Sequence, residues 1–491
     1  MTSLYNKNVK CLDDNTRNLV LNLKQDSKFD VLDTKSGDLS LKIGLKDKEL
    51  LLNSHYNPRR EAKRFIANYN LEEVASIILI GFGLGYYVEE LLNKLRRDQS
   101  LKIVVVNSDI FKFALKNRDL ELILKDRRVE LIIGVKFSGL INKLQGLFNK
   151  LDILESKLIF HEQSIKVMPN EFLALRDVLE KIKVNRYNNR RLGKRIRKNI
   201  IENLSFINES LGVSNFKEAF LNKPIFIIAA GPSLDENIKQ LKSIRDKGII
   251  IAVDTALIPL LTEWIRPDFI VSIEPVKNSY KFFKDYLNLE IPLVHSLGIH
   301  PKILKDYQGP KTVGFAKSDL LMDCLSKLIN KGRIATGGSV ASTALDFAMK
   351  LGGDPVVFVG QDFAFSKQGI THAENTSYEQ RKRDNSTLRQ VEGINGDQVY
   401  TSTDYYLYLR WFERYIADNS QVNYIDATEG GAKIRGTKIL SLKETIFKYC
   451  KSEINKSEII ANIFSNTTRE CLSDSDIKRF IGQINQNAKL T

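Results

Sequence analysis

Two stretches of the chain alternate short, wholly apolar runs with amphipathic segments. The first holds Ser76-Ile77-Ile78-Leu79-Ile80, the glycine turn Gly81-Phe82-Gly83-Leu84-Gly85, a helical pattern over Tyr86–Leu95 and a second run, Ile103-Val104-Val105-Val106. Strand, tight turn, helix and strand make a βαβ unit, and its crossover makes the sheet parallel. Leu131–Val135 supplies a further strand, so this part is predicted to be Rossmann-like. The second stretch opens with Pro224-Ile225-Phe226-Ile227-Ile228-Ala229-Ala230 and continues with runs at Ile249–Val253, Phe269–Ile273, Leu293–Val294 and Pro355–Val359. Helical patterns at Leu234–Lys247 and Val340–Leu351 lie between them, which predicts a second, doubly wound α/β sheet. The first 70 residues read as a small β-rich lead-in, from pieces such as Leu39-Ser40-Leu41-Lys42-Ile43. Asn170 to Leu211 is helical in pattern, and Lys181–Ile200 within it carries nine Lys and Arg and no acid. After about residue 440 the chain turns polar and helical. The predicted organisation is an N-terminal domain over 1–169, a basic connecting helix over 170–222, a central domain over 223–440 and a helical tail over 441–491.

Composition narrows the class. With 43% hydrophobic and 27% charged residues, the 491-residue chain has ordinary globular usage, which excludes disorder as its main state. No apolar run reaches the length of a membrane span. Met1–Lys10 lacks the basic-then-apolar pattern of a secretory leader, so a cytoplasmic protein is expected. Cys11, Cys324, Cys450 and Cys471 stand far apart without a CxxC, so neither a disulfide framework nor a zinc site is expected. The net charge of +15 favours acidic partners such as nucleotide phosphates, but abundant Lys in a Lys-, Asn- and Ile-rich chain reads equally as compositional drift. No nucleic-acid motif accompanies it.

Candidate chemistry gathers at the predicted strand ends. Gly231-Pro232-Ser233-Leu234 follows a buried strand, and Ser233 with Glu236 has capping-box spacing. A helix starting there would offer free N–H groups and a partial positive charge to a phosphate; an ordinary capped turn uses the same residues. Gly337-Gly338-Ser339 opens the helix at Val340 in the same way, with Ser339 as cap. Asp254-Thr255 ends the next strand, where a carboxylate either binds a ribose or caps a helix over Ala256–Trp264. Gly360-Gln361-Asp362 ends another, followed by Thr371-His372-Ala373. Among five histidines, His372 is predicted to be the one that follows a strand-end loop, which makes it the candidate general base, with Asp362 and Tyr378 as competitors. Asp426-Ala427-Thr428-Glu429-Gly430-Gly431-Ala432 implies a tight turn near the same sheet edge. No GxxxxGK[ST], HExxH or GxSxG occurs, and the sole Asp-x-Asp, Asp474-Ser475-Asp476, lies in the tail, so metal-free chemistry is expected. The Gly81–Gly85 loop imitates a dinucleotide or S-adenosylmethionine fingerprint, with Asp109 downstream; a structural or accessory role is the expectation.

Taken together, Gly81-x-Gly-x-Gly-Tyr86, Ala230-Gly-Pro-Ser-Leu234, Asp254-Thr255 with Arg266-Pro267-Asp268, Gly337-Gly-Ser339, Gly360-Gln-Asp362, Thr371-His372-Ala373 and Thr428-Glu-Gly-Gly-Ala432 resemble the motility accessory factor (Maf) glycosyltransferases. The resemblance spans roughly residues 75–440. The family's usual Asn-Ala-Thr-Glu-Gly-Gly departs here to Asp426-Ala-Thr-Glu-Gly-Gly. Its central domain is similar to small bacterial sialyltransferases, whose Gly-Pro-Ser-Leu loop binds a CMP-sugar. The resemblance implies that Gly231, Pro232 and Ser233 contact the nucleotide, with Asp254 and Thr255 near it. It sets Gly337, Gly338, Ser339 and Gln361 about the phosphate or sugar. It also implies transfer of a nonulosonic acid, of pseudaminic or legionaminic type, from CMP to a Ser or Thr of flagellin, with no further cofactor. A pterin diphosphokinase of archaeal type shares the central loop and would need ATP, Mg²⁺ and clustered acids such as Asp254, Glu274 and Asp362. A flagellin-binding chaperone without activity is the non-catalytic alternative.

Overall fold

The computed structural model describes residues 3–22, 29–45, 48–72, 74–133, 156–169, 192–317, 320–366, 368–376 and 388–489, and the chain forms two compact units, 1–183 and 184–491. In the first unit, β1 (Asp30–Asp33), β2 (Leu39–Leu45) and β3 (Lys48–Leu51) make an antiparallel sheet, but the expected β-rich lead-in is corrected, because helices hold more of the described residues before 70 than strands do. Helices Ser3–Lys10, Asp14–Leu21 and Pro58–Ala67 accompany it. β4 (Ser76–Ile80), the helix Tyr86–Lys94 and β5 (Ser100–Val105) form the predicted βαβ unit. With β6 (Val129–Ile133) and β7 (Ser156–Phe160), they build a four-stranded parallel sheet in the order β6-β5-β4-β7.

The loop Gly81–Gly85 is filled by the unit's own side chains. A Cβ at Gly81 would stand 2.6 Å from Ser164 Cβ, and one at Gly83 would stand 2.9 Å from His161 Cε1. Both glycines have positive φ, +98° and +58°, so they are needed for the turn and for the close approach of His161. The switch point between β4 and β7, where a dinucleotide would enter such a sheet, is occupied by an imidazole whose Nδ1 pairs with Ser164 Oγ at 2.6 Å.

The second unit carries a nine-stranded sheet, parallel throughout. Its order is β20 (Lys438–Ile439), β19 (Tyr424–Asp426), β16 (Val356–Val359), β9 (Ile225–Ile228), β10 (Ile249–Val253), β11 (Phe269–Ser272), β12 (Leu293–His295), β13 (Lys311–Val313) and β8 (Leu211–Gly212). The five strands read from the sequence are present. The four short ones, β8, β13, β19 and β20, have only two or three residues and escape a periodicity argument. The central strands are buried along their whole length, as strands covered on both faces must be. Phe216, Phe269 and Phe347 pack edge to face at 5.2–6.0 Å, and Phe464 of the tail joins them at 5.5 Å. The helices Leu442–Tyr449, Lys456–Asn466 and Asp474–Lys489 form the expected helical C-terminal region, within the second unit.

One predicted helix is corrected. Leu234–Lys247 is an α-helical turn of four residues, Leu234–Asn237, followed by 3₁₀ turns at Ile238–Ser243 and Arg245–Lys247. Leu234, Ile238, Leu241 and Ile244 are all buried, so the apolar positions point inward as the helical spacing requires, on a chain wound more tightly. By contrast, Val340–Lys350 is a regular helix of eleven residues, as expected. The basic stretch Lys181–Ile200 falls partly outside the described residues; from 192 to 203 the chain is helical. Among the described residues no helix is long and apolar enough to cross a membrane.

Candidate functional site

β9 lies between β16, reached from one side, and β10, reached from the other, so the strand order reverses at β9. A crevice opens outside the carboxyl ends of the strands at such a switch point. Here it is built from the segments that follow β9, β16 and β19. Gly231 N–H donates to Gly360 O at 2.8 Å, and Ser233 N–H donates to Asp362 Oδ2 at 3.1 Å. A Cβ at Gly231 would collide with that same carboxylate and with Gly360 O, so the residue must be glycine for contact reasons, at ordinary φ. Gly431 lies flat against the Asp362 backbone, with Ala432 N–H donating to Asp362 O at 2.7 Å. Thr428 Oγ1 accepts Gln361 N–H at 3.3 Å, and Asn237 Nδ2 donates to Ala427 O at 3.0 Å. Ala373 N–H donates to Ala230 O at 3.0 Å, and Glu374 N–H donates to Asp235 at 2.8 Å. That tether brings His372, half-buried with Nδ1 paired to Thr371 Oγ1 at 2.8 Å, beside the Gly231 turn. Tyr378 lies outside the described residues.

Ser233 Oγ, Gln361 Oε1, Asp362 Oδ1 and Asp426 Oδ2 are buried there without a hydrogen-bond partner. Buried polar atoms are ordinarily satisfied, so four such atoms on neighbouring strand ends make this crevice the candidate site. Burial pushes the Asp362 carboxyl up to about 6; Asp235 and Glu236 add to the effect and the Ser233 N–H bond opposes it. Burial lifts Asp426 to about 7, against the Thr428 hydrogen bonds and with help from Asp362.

Two expectations about this turn change. Ser233 has helical φ/ψ and makes no capping bond, so the Ser233–Glu236 capping box does not form. The N–H groups of Gly231 and Ser233, expected to face a phosphate, are taken by Gly360 and Asp362. The reason is the acid that the loop after β16 inserts beneath the turn.

The Gly337–Ser339 turn follows β15 (Arg333–Ile334) and stands on the same carboxyl edge, because its helix runs back to the amino end of β16. Ser339 caps that helix as expected, accepting Ser342 N–H at 3.2 Å. Asp346 braces the turn by accepting Ala335 N–H at 3.1 Å, Tyr415 OH at 2.9 Å and Lys317 Nζ at 3.0 Å. Gly338 is exposed, and a Cβ on it would stand 3.0 Å from the Tyr408 ring.

Asp254 is neither a helix cap nor exposed. Its Oδ2 accepts Ser272 Oγ at 2.7 Å and its Oδ1 accepts Thr255 N–H at 2.8 Å, bridging the ends of β10 and β11. Burial raises it to about 7, with Glu274 nearby adding to that; Glu274 itself is raised by burial. Thr255 is half-buried beside it. Arg266-Pro267-Asp268 stands apart from all of these, at the amino end of β11. His372 is also not alone at a strand end: His295 ends β12 and His161 follows β7. Both are encased, and burial pushes each down to about 4. The run Leu293–Val294 already set His295 at a strand end in the sequence, whereas β7 was not read as a strand and left His161 unmarked. Asp426 and Ser272 were not assigned roles from sequence; the signal available was a polar residue closing a short apolar run.

These features define a doubly wound α/β domain with a polar crevice at its switch point. Residues 198–368 match the family model described as 6-hydroxymethylpterin diphosphokinase MptE-like. The chain is similar in structure to a MAf glycosyltransferase from Magnetospirillum magneticum AMB-1, with a TM-score of 0.50 and 16% identity over 94% of this chain and 78% of that one. At that identity the likeness is one of fold. Two uncharacterized proteins of Treponema pallidum (strain Nichols) are also similar. One is 29% identical over 167 residues, 33% of this chain and 29% of that protein; the other is 44% identical over 54 residues, 11% and 26%. The chain thus spans less than a third of either curated relative.

Proposed function

We propose that the protein is a glycosyltransferase that moves a nonulosonic acid from a CMP-sugar to a serine or threonine hydroxyl of flagellin. The observation that carries this reading is the set of four unpartnered polar atoms around Gly231–Ser233, in a chain with the fold of a Maf glycosyltransferase. CMP lies against Gly231, Pro232 and Ser233, with Gln361 and Thr255 flanking it. Its phosphate is met by the Gly337–Ser339 turn, whose helix has eleven residues of aligned peptide dipole behind it. The acceptor oxygen attacks the anomeric carbon as the bond from that carbon to the phosphate oxygen breaks. CMP leaves with the electron pair. The hydroxyl proton passes to His372, tethered beside the turn, while Asp362 holds the turn's shape from beneath. The reaction so drawn needs no metal. Titration with CMP and with ATP, each with and without Mg²⁺, tests the reading: CMP should bind alone. A requirement for Mg²⁺ and a preference for ATP would support the second reading.

That second reading, a pterin diphosphokinase, is favoured by the family match over 198–368 and by the buried pair Asp254 and Glu274. Such chemistry would need the Glu274 carboxylate, to which sugar transfer gives no role, so Glu274→Gln separates the two. It should leave CMP binding and sugar transfer intact.

A further inference from the structure

The amino edge of the large sheet, opposite the candidate site, holds a cavity of about 720 Å³. Ile250, Pro267, Pro292 and Pro310 floor it, and the helix Lys456–Asn466 walls it with Ile460 and Phe464. Trp264 stands on its rim, 92% exposed. This residue ends the helix Leu257–Thr262 in a Schellman turn: Ile265 N–H donates to Leu260 O at 2.9 Å and Trp264 N–H donates to Leu261 O at 3.0 Å. Trp264 takes the left-handed position of that turn, φ +60°, where glycine is the strain-free residue. An indole there serves neither the turn nor the core.

The charges around the cavity are mixed. Lys242 is paired with Glu263 and Lys456 with Asp268. That leaves Arg245, Arg266, Asp246 and Glu290, whose side chains make no salt bridge among the described residues. An acidic partner would meet the two carboxylates and a basic one the two guanidiniums. A surface carrying both signs, a projecting knob and an adjacent hole offers every element that an isologous contact with a second copy requires.

We propose that a second copy of this chain docks on the amino edge, each copy seating its Trp264 in the cavity of the other. Exposed tryptophan flanked by arginine is the composition of an interface hot spot. The two candidate sites at the carboxyl edges are left open by this arrangement.

Sedimentation equilibrium of the full chain tests the proposal. The wild type should pass from 56.0 kDa to twice that mass as concentration rises. Trp264→Gly should weaken association at least tenfold without lowering the melting temperature, since glycine relieves the turn. Ala461→Trp, which fills the cavity from an exposed position on the helix wall, should weaken it equally while Trp264 remains. A wild type that stays monomeric at every concentration overturns the proposal, as does unchanged association in either variant.

Discussion

At Asp362 one carboxylate oxygen accepts the Ser233 N–H while the other has no partner, and a carboxyl held near 6 is largely ionised at neutral pH. Asp362→Asn keeps the shape but turns one oxygen into a donor facing the Ser233 N–H or the crevice. CMP affinity should fall, and isothermal titration measures it. Gly231→Ala should lose CMP binding altogether, because its Cβ cannot share space with Asp362 Oδ2. General-base catalysis contributes about 10²–10⁴-fold, so His372→Ala should lower turnover by that order with CMP affinity kept. Full turnover in a folded His372→Ala protein would shift the proton to Asp362, and the rate should then rise with pH through about 6.

Elements differ in how they treat the two serines that look alike in sequence. Ser339 accepts a helix N–H, so Ser339→Ala should cost about 0.5–2 kcal/mol in chemical denaturation. Ser233 caps nothing and its hydroxyl is buried without a partner. Ser233→Ala should therefore leave stability nearly unchanged and act on ligand affinity alone. The difference arises because the four-residue turn Leu234–Asn237 is held by packing and by Asp362, whereas Val340–Lys350 is a full helix with donors to satisfy.

In the whole second unit, the tail is locked to the sheet by buried lysines. Lys456 reaches Arg245 O at 2.7 Å, Gly248 O at 3.1 Å and the Asp268 carboxylate at 2.9 Å, and Lys331 reaches Ser210 O and Glu470 O, each at 2.8 Å. Lys456→Ala leaves the Asp268 carboxylate buried without its cation, with only the Ile250 N–H at 2.7 Å, so unfolding should become easier by about 3–5 kcal/mol. Arg266-Pro267-Asp268, read as a motif, thus serves here as the anchor of that lysine. Asp254, Asp362 and Asp426 have folded pKa values raised to about 6–7 above an unfolded value of 3.8. The native state therefore holds more protons than the unfolded chain between those values. Their contribution is fully present below about pH 4 and is lost as pH rises through about 7. Asp426→Asn should remove its share of that loss, which urea titrations at pH 5 and pH 8 would reveal as a smaller difference between the two.

The sequence by itself determined the two parallel sheets, the central strands and the Ser339-capped helix. Each rests on a local signal, a wholly apolar run or a 3.6-residue period, although the same period over Leu234–Lys247 gave only a four-residue α-helical turn and short 3₁₀ turns. It also marked Gly231, Gly360–Asp362, Thr371–Ala373 and Thr428–Ala432 as turns of interest. Only the tertiary structure decided that these four segments, up to about 200 residues apart, meet at one switch point. It also turned the Gly231 N–H groups inward onto Gly360 and Asp362, filled the Gly81–Gly85 loop with His161 and sent Arg266–Asp268 to the opposite edge. Those outcomes depend on which groups are desolvated together. Desolvation is a property of the packed sheet, not of any window along the chain.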